Sequence, residues 1–290
     1  MTKKLLGTLA ILGIFSFGLA QREAKYSYDL TKDFSTTAPL SSQGGTIGLS
    51  ASRSKKQLTV KIGSSSQIFA LETIDNSGSP AQGSVLVEDF DFDGFNDVGV
   101  PSGIGYGGVN IFYDVWRYDP KLKKLGKLEG KDFEVSNPNF DTGNKILLSN
   151  ARSGPAWYGS DFKFSSGKPW LYRTRNFVAL LVFSNPDTVI IQTTIYNQAG
   201  KQLSSSIADE DMLGKPIALK RTVPEKMFLY TAPRENALTS SYIIRGDMVS
   251  ILKIISNSES LGFATQQWVK IAYQSKKLGR IVRWLNLQQK

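Results

Sequence analysis

The sequence predicts a mostly β protein built from two modules. Three observations predict it. Short apolar runs rich in β-branched and aromatic residues recur between turn signals. Long helical periodicity with caps is missing throughout. Charge is also divided unevenly: residues 21–210 carry 20 basic and 20 acidic side chains, while residues 211–290 carry 13 and 5.

In chain order, the first element is an address. Lys3 and Lys4 precede an apolar stretch from Leu5 to Ala20, and Gly18-Leu19-Ala20 stands before polar Gln21 and Arg22. This three-part pattern predicts a secretory signal peptide over residues 1–20. The alternative is an uncleaved N-terminal anchor, although the stretch is short for a membrane span. After cleavage the protein is expected in the periplasm or secreted, and not as an integral membrane protein. Residues 21–45, rich in Ser, Thr and Gly, read as a flexible, loop-like segment. Residues 46–205 then carry the runs 57–62, 85–87, 109–113, 178–183 and 188–196, each expected as a strand. A polar join from Ser204 to Pro216 marks the boundary to a second module over residues 215–290.

Composition narrows the chemistry. The 290 residues include no His and no Cys. Disulfides, thiolate nucleophiles, imidazole bases and His- or Cys-ligated metals are thereby excluded. Any metal site must be built from oxygen, which points to Ca²⁺, Mg²⁺ or Mn²⁺. No separate acid pair for hydrolysis stands out, so an enzyme is not expected. The basic final segment suits anionic envelope polymers, lipid head groups or an acidic protein, or serves solubility alone. Nucleic acid is not an expected partner in that compartment.

The segment Val85–Val100 is the most informative. Asp89, Asp91, Asp93 and Asp97 fall at positions 1, 3, 5 and 9 of a loop, with Gly94 at position 6. That is the oxygen spacing of a calcium loop. Alternate residues of an extended segment point the same way, so the carboxylates converge while Phe90 and Phe92 turn to a core. Gly94 permits the sharp turn that lets the Phe95 carbonyl face the ion. Asp97 closes the ring directly or through water. Position 12 is Val100 rather than a bidentate Glu, so a β-flanked site is expected instead of a helix pair. The alternative is a solvated acidic turn.

With Glu88–Asp97 and the Gly-rich stretch through Gly103, Gly105, Gly107 and Gly108, the loop resembles the calcium-binding FG-GAP repeat of integrin-type propellers. Tyr113–Lys121, Asn137–Phe140 and Ser149–Tyr158 are similar to a family of exported bacterial proteins carrying one such repeat in a propeller-like β domain. Members include periplasmic immunity proteins that inhibit lysozyme-like peptidoglycan hydrolases. The resemblance covers roughly residues 46–185. It implies a calcium cofactor and a protein partner.

An inhibitor of a glycan-cleaving enzyme plugs an acidic cleft with a protruding loop. The stretch Arg152–Gly159 is the candidate, because Gly and Pro signal a turn while Arg152, Trp157 and Tyr158 are interface residue types. Trp157 and Tyr158 packing inward from a strand is the competing reading. Tyr106, in the Gly-rich loop, is a second candidate.

The last module reads as about five short strands. Tyr230-Thr231-Ala232-Pro233, the turn at Gly246-Asp247, Trp268-Val269-Lys270 and Trp284 resemble a bacterial SH3-like barrel, with Arg283 where a final glycine is usual. Such a barrel implies binding to cell-wall peptides, glycans or proteins. The reading for the whole chain is a calcium-binding envelope protein that inhibits a lysozyme-like hydrolase. The alternative is an adhesion or scaffold protein that holds peptidoglycan.

Overall fold

A computed structural model describes residues 21–71, 83–153, 156–177, 189–210, 216–217, 219–258 and 264–288. The expected leader, the 178–183 run, Gly154 and Pro155 lie outside these residues. Among the described residues there is no α-helix, only two short 3-10 turns at Tyr106–Gly108 and Glu235–Ala237. Strands dominate, and every pairing between them is antiparallel.

Four sheets result. The first is a meander of Phe34–Pro39, Thr46–Ser52, Gln57–Ile62 and Ser65–Ala70. Its period-2 pattern is plain in Gln57–Ile62, where Leu58, Val60 and Ile62 are buried and Gln57 and Lys61 are exposed. That buried face packs on the second sheet, through Val85, Val87, Val98, Val100 and Tyr118. In the second sheet Lys124–Lys127, Asn110–Asp119, Asp97–Gly105, Ser84–Glu88 and Tyr26–Asp29 lie side by side. Its opposite face offers Leu86, Phe90 and Val115 to Phe140, Leu147 and Phe162 of an eight-stranded third sheet. The loop-bearing sheet is thus a middle layer. An uninterrupted apolar run, Val85-Leu86-Val87, is what a strand buried on both faces requires.

The segment 21–45 is not loop-like. It supplies Gln21–Arg22, Tyr26–Asp29 and Phe34–Pro39 to three different sheets, and Leu30, Ala38 and Leu40 are buried. Its polar alternation reflects one solvated strand face, which composition alone reads as loop. Gly103 and Gly105 likewise lie within a strand, and the turn proper is Tyr106–Gly108.

The fourth sheet has the order Lys220–Thr222, Met248–Ser258, Ala264–Ser275, Gly279–Gln288, Met227–Tyr230, Leu238–Ile243. No pairing among the described residues closes it into a barrel. Gly246-Asp247 does turn, with Gly246 at φ +92°. However, the strands it joins pair with other strands rather than with each other. The turn is instead tied to Val223, whose carbonyl accepts from Gly246 and whose N–H donates to Asp247, at 2.9 and 2.8 Å. Trp268 and Trp284 are buried. The core of this sheet also takes in Ile190 and Ile207, from strands of the third sheet.

Candidate metal centre and partner patch

The acidic loop joins Ser84–Glu88 to Asp97–Gly105, which pair directly from Glu88 to Asp97. It is β-flanked, as Val100 at position 12 implied. Phe90 is fully buried against Phe140, with ring centres 5.1 Å apart, and Phe92 sits between Phe140 and Phe164. The two aromatics anchor the loop in the core below. Gly94 has φ +95° with open space around its missing Cβ, so it is conformation that calls for glycine here. Phe92 also takes φ +60°, a strained value for an aromatic residue.

Oxygen atoms of Asp89, Asp91 and Asp97 lie within 4.8 Å of one another. Backbone donors hold them in place. Asp89 accepts from the N–H groups of Asp93 and Gly94, both at 2.9 Å. Asp97 accepts from Phe90 at 3.0 Å and Tyr118 at 2.8 Å. Each carboxylate oxygen has a second lone pair left for a ligand. Asp93 does not join this group. It is exposed, accepts from the Phe95 N–H at 2.9 Å, and pairs with Arg117 Nη2 at 2.6 Å. Arg117 Nε pairs with Asp91 as well. Phe95 meets the loop through that N–H, while its ring packs on Tyr118 at 5.6 Å.

The electrostatics are those of a site short of positive charge. Asp91 and Asp97 are buried, and Asp97 has no exposed surface. Burial pushes the Asp89 carboxyl up to about 6, and raises Asp91 and, much further, Asp97. Neighbouring carboxylates add to each shift. Among the described residues, Arg117 is the one cation that forms ion pairs with any of the four aspartates, and it reaches two of them, Asp91 and Asp93. Glu88, next along, is separately neutralised by Arg22. Three clustered carboxylates with hard oxygen donors and little compensating charge fit a hard divalent cation.

A second charged centre escaped sequence reasoning. Asp161, with no exposed surface, accepts from Arg175 Nη2 at 2.7 Å and also from Arg173. Arg175, itself buried, donates onward to Asn150 at 2.9 Å. A Cβ on Gly159 would lie 2.4 Å from Arg175 Nη2, so only glycine leaves this space. The pairing of Gly159 with Arg175 and of Asp161 with Arg173 across two strands creates the centre, and no local spacing announces it. Arg117 was missed for the same reason, because strand pairing brings it to the loop.

Of the partner residues, the structure brings three together. Arg152 and Trp157 are directly paired across a hairpin, which puts both on one face. The Arg152 guanidinium lies over the Tyr106 ring at 5.6 Å. Asn110 fixes the Arg152 backbone from both sides, at 2.7 and 2.9 Å. Tyr158 is paired with Ala151 and faces the other way, 38% exposed. Trp157 is half-buried and Tyr106 is exposed.

No family model matches the chain, and neither does any curated protein or solved structure.

Proposed function

We propose that this chain is an exported, calcium-binding envelope protein that binds and inhibits a lysozyme-like peptidoglycan hydrolase. In this reading it belongs with the FG-GAP-like exported proteins that its acidic loop resembles. Residues 46–205, with the strands that residues 21–45 add to their sheets, form a propeller-like domain and residues 215–290 an SH3-like one. The observation that carries the reading is the convergence of the Asp89, Asp91 and Asp97 carboxylates in a β-flanked loop in which Asp91 and Asp97 are buried. Ca²⁺ supplies the positive charge that these oxygens lack, and its role is structural: it braces a hairpin between two packed sheets. Ordered carboxylates and buried aromatic anchors keep the loop ready for the ion.

Tyr106, Arg152 and Trp157 support the inhibitory surface. Their residue types dominate interface energetics, and the ring under Arg152 reduces the entropy lost on docking. A guanidinium so held suits a catalytic carboxylate of the target through bidentate pairing. The test is a turbidity assay on peptidoglycan with lysozyme-type hydrolases. The wild-type protein is expected to inhibit, and Arg152→Ala to weaken inhibition at least about tenfold, as loss of a hot spot does. Equal inhibition by both would remove Arg152 from the surface; no inhibition of any such hydrolase would end the reading.

A second reading, wall attachment, is favoured by a different observation. On the fourth sheet Phe228 and Tyr242 are exposed and meet edge-to-face, with the Lys226 ammonium 5.1 and 4.1 Å from their ring centres. Co-sedimentation with insoluble peptidoglycan, lost in Tyr242→Ala and without inhibition of any hydrolase, would favour it.

A further inference from the structure

We infer that Arg117 is a tethered competitor for the divalent ion and sets how tightly the loop binds it. This rests on the calcium reading of the loop. The guanidinium engages Asp91 through Nε and Asp93 through Nη2 at once. These two aspartates stand at positions 3 and 5 of the calcium spacing. Asp93 is also the one loop aspartate outside the convergent group. A cation that belongs to the chain thus holds one aspartate of the convergent group and the one that lies outside it.

The position of that cation is built. Arg117 lies on Asn110–Asp119, the strand next to the one that leaves the loop. From above it is received by the turn Ser166-Gly167 of the third sheet. A Cβ on Gly167, which has φ +71°, would come within 3.0 Å of the guanidinium carbon. The side chain is thus clamped between loop and turn, at the wall of a cleft of about 440 Å³ that Lys145 and Lys163 also line. For a divalent ion to take Asp91 Oδ2 or Asp93 Oδ2, it must compete with a charge-assisted pair. The consequences are a loop ordered without the ion and a lowered affinity, of the kind extracellular modules use, about 10⁻⁴–10⁻³ M.

The test is calorimetric titration of the full chain with CaCl₂ at pH 7.5, after chelator treatment. Arg117→Gln is expected to tighten binding about tenfold or more, the worth of a charged hydrogen-bonded pair. Arg117→Lys, a point charge without the planar fork, should fall between. Lys163→Gln, which removes a charge from the same cleft but no ion pair with the loop, should shift affinity less than about threefold. Should Arg117→Gln fail to fold, Gly167→Ala, whose Cβ would press on the guanidinium at 3.0–3.2 Å, displaces it slightly with every carboxylate intact, and is also expected to tighten binding, though less. Unchanged or weakened affinity in Arg117→Gln or Gly167→Ala would overturn the inference and leave the calcium reading standing. So would equal tightening by Lys163→Gln. No Ca²⁺ binding by the wild type or any variant would overturn both.

Discussion

The acidic loop and the Asp161 centre are built from the same chemical parts in opposite proportion. In the loop, one arginine pairs with two of four aspartates; around Asp161, two arginines pair with one carboxylate, and Arg175 donates onward to Asn150. The Asp161 centre is closed. Every oxygen of its carboxylate is paired within the chain, and Arg173 reaches toward solvent. The loop is open in the electrostatic sense, with buried oxygens gathered and too few cations to balance them. Buried charge of the first kind specifies a packing arrangement, whereas buried charge of the second kind is what the proposed cation would neutralise.

That difference is open to direct attack. Asp161→Ala strands the Arg175 guanidinium without its anion, and should cost about 3–5 kcal/mol in urea unfolding, with or without Ca²⁺. An effect that vanishes in Ca²⁺ would make the two centres alike. At the loop, saturating Ca²⁺ near 100 times its dissociation constant should stabilise the wild type by about 2.7 kcal/mol, and Asp97→Asn not at all. Coincident melting curves of the wild type in Ca²⁺ and in chelator would remove the ligand from the comparison. Gly94→Ala tests the frame rather than the charge. Its φ of +95° should make alanine cost about 1–2 kcal/mol in chelator, and the loss should persist in Ca²⁺.

A further expected effect is on pH dependence. The folded-state carboxyl of Asp89 lies at about 6, above its ordinary value near 3.8. The folded, ion-free chain therefore binds the proton more strongly than the unfolded chain. Its contribution to stability is fully present below about pH 4 and is lost as pH rises through about 6. In chelator, Asp89→Asn should flatten that slope between pH 4 and 6.5. A slope of opposite sign at Asp89 would mean that the loop carries more compensating charge than Arg117 supplies.

Much of this was legible in local sequence. The 57–62 run became a strand with its apolar residues inward, because side chains alternate with period 2 whatever lies around them. Phe90, Phe92 and Gly94 could be placed for the same local reason. Residues 21–45 could not, because two of the short strands there gain their order from partners far along the chain, Arg22 from Phe140 and Tyr26 from Val87, while Phe34–Pro39 gains it from the strand that follows. The Gly246-Asp247 turn was visible, while the crossing it makes depends on Val223.

By itself, the order of residues determined a β-rich chain without thiol or imidazole chemistry, an acidic loop with carboxylates at alternate positions, and a basic final segment. These follow from composition and from geometry within a few residues. Tertiary structure decided that Asp93 turns to Arg117 while Asp89, Asp91 and Asp97 converge, that Arg152 rests on Tyr106 while Tyr158 faces away, and that Asp161 is sealed by two arginines. The physical reason is that a charge's partner is selected by strand register and by burial, and both are properties of the packed sheets rather than of any short stretch of chain.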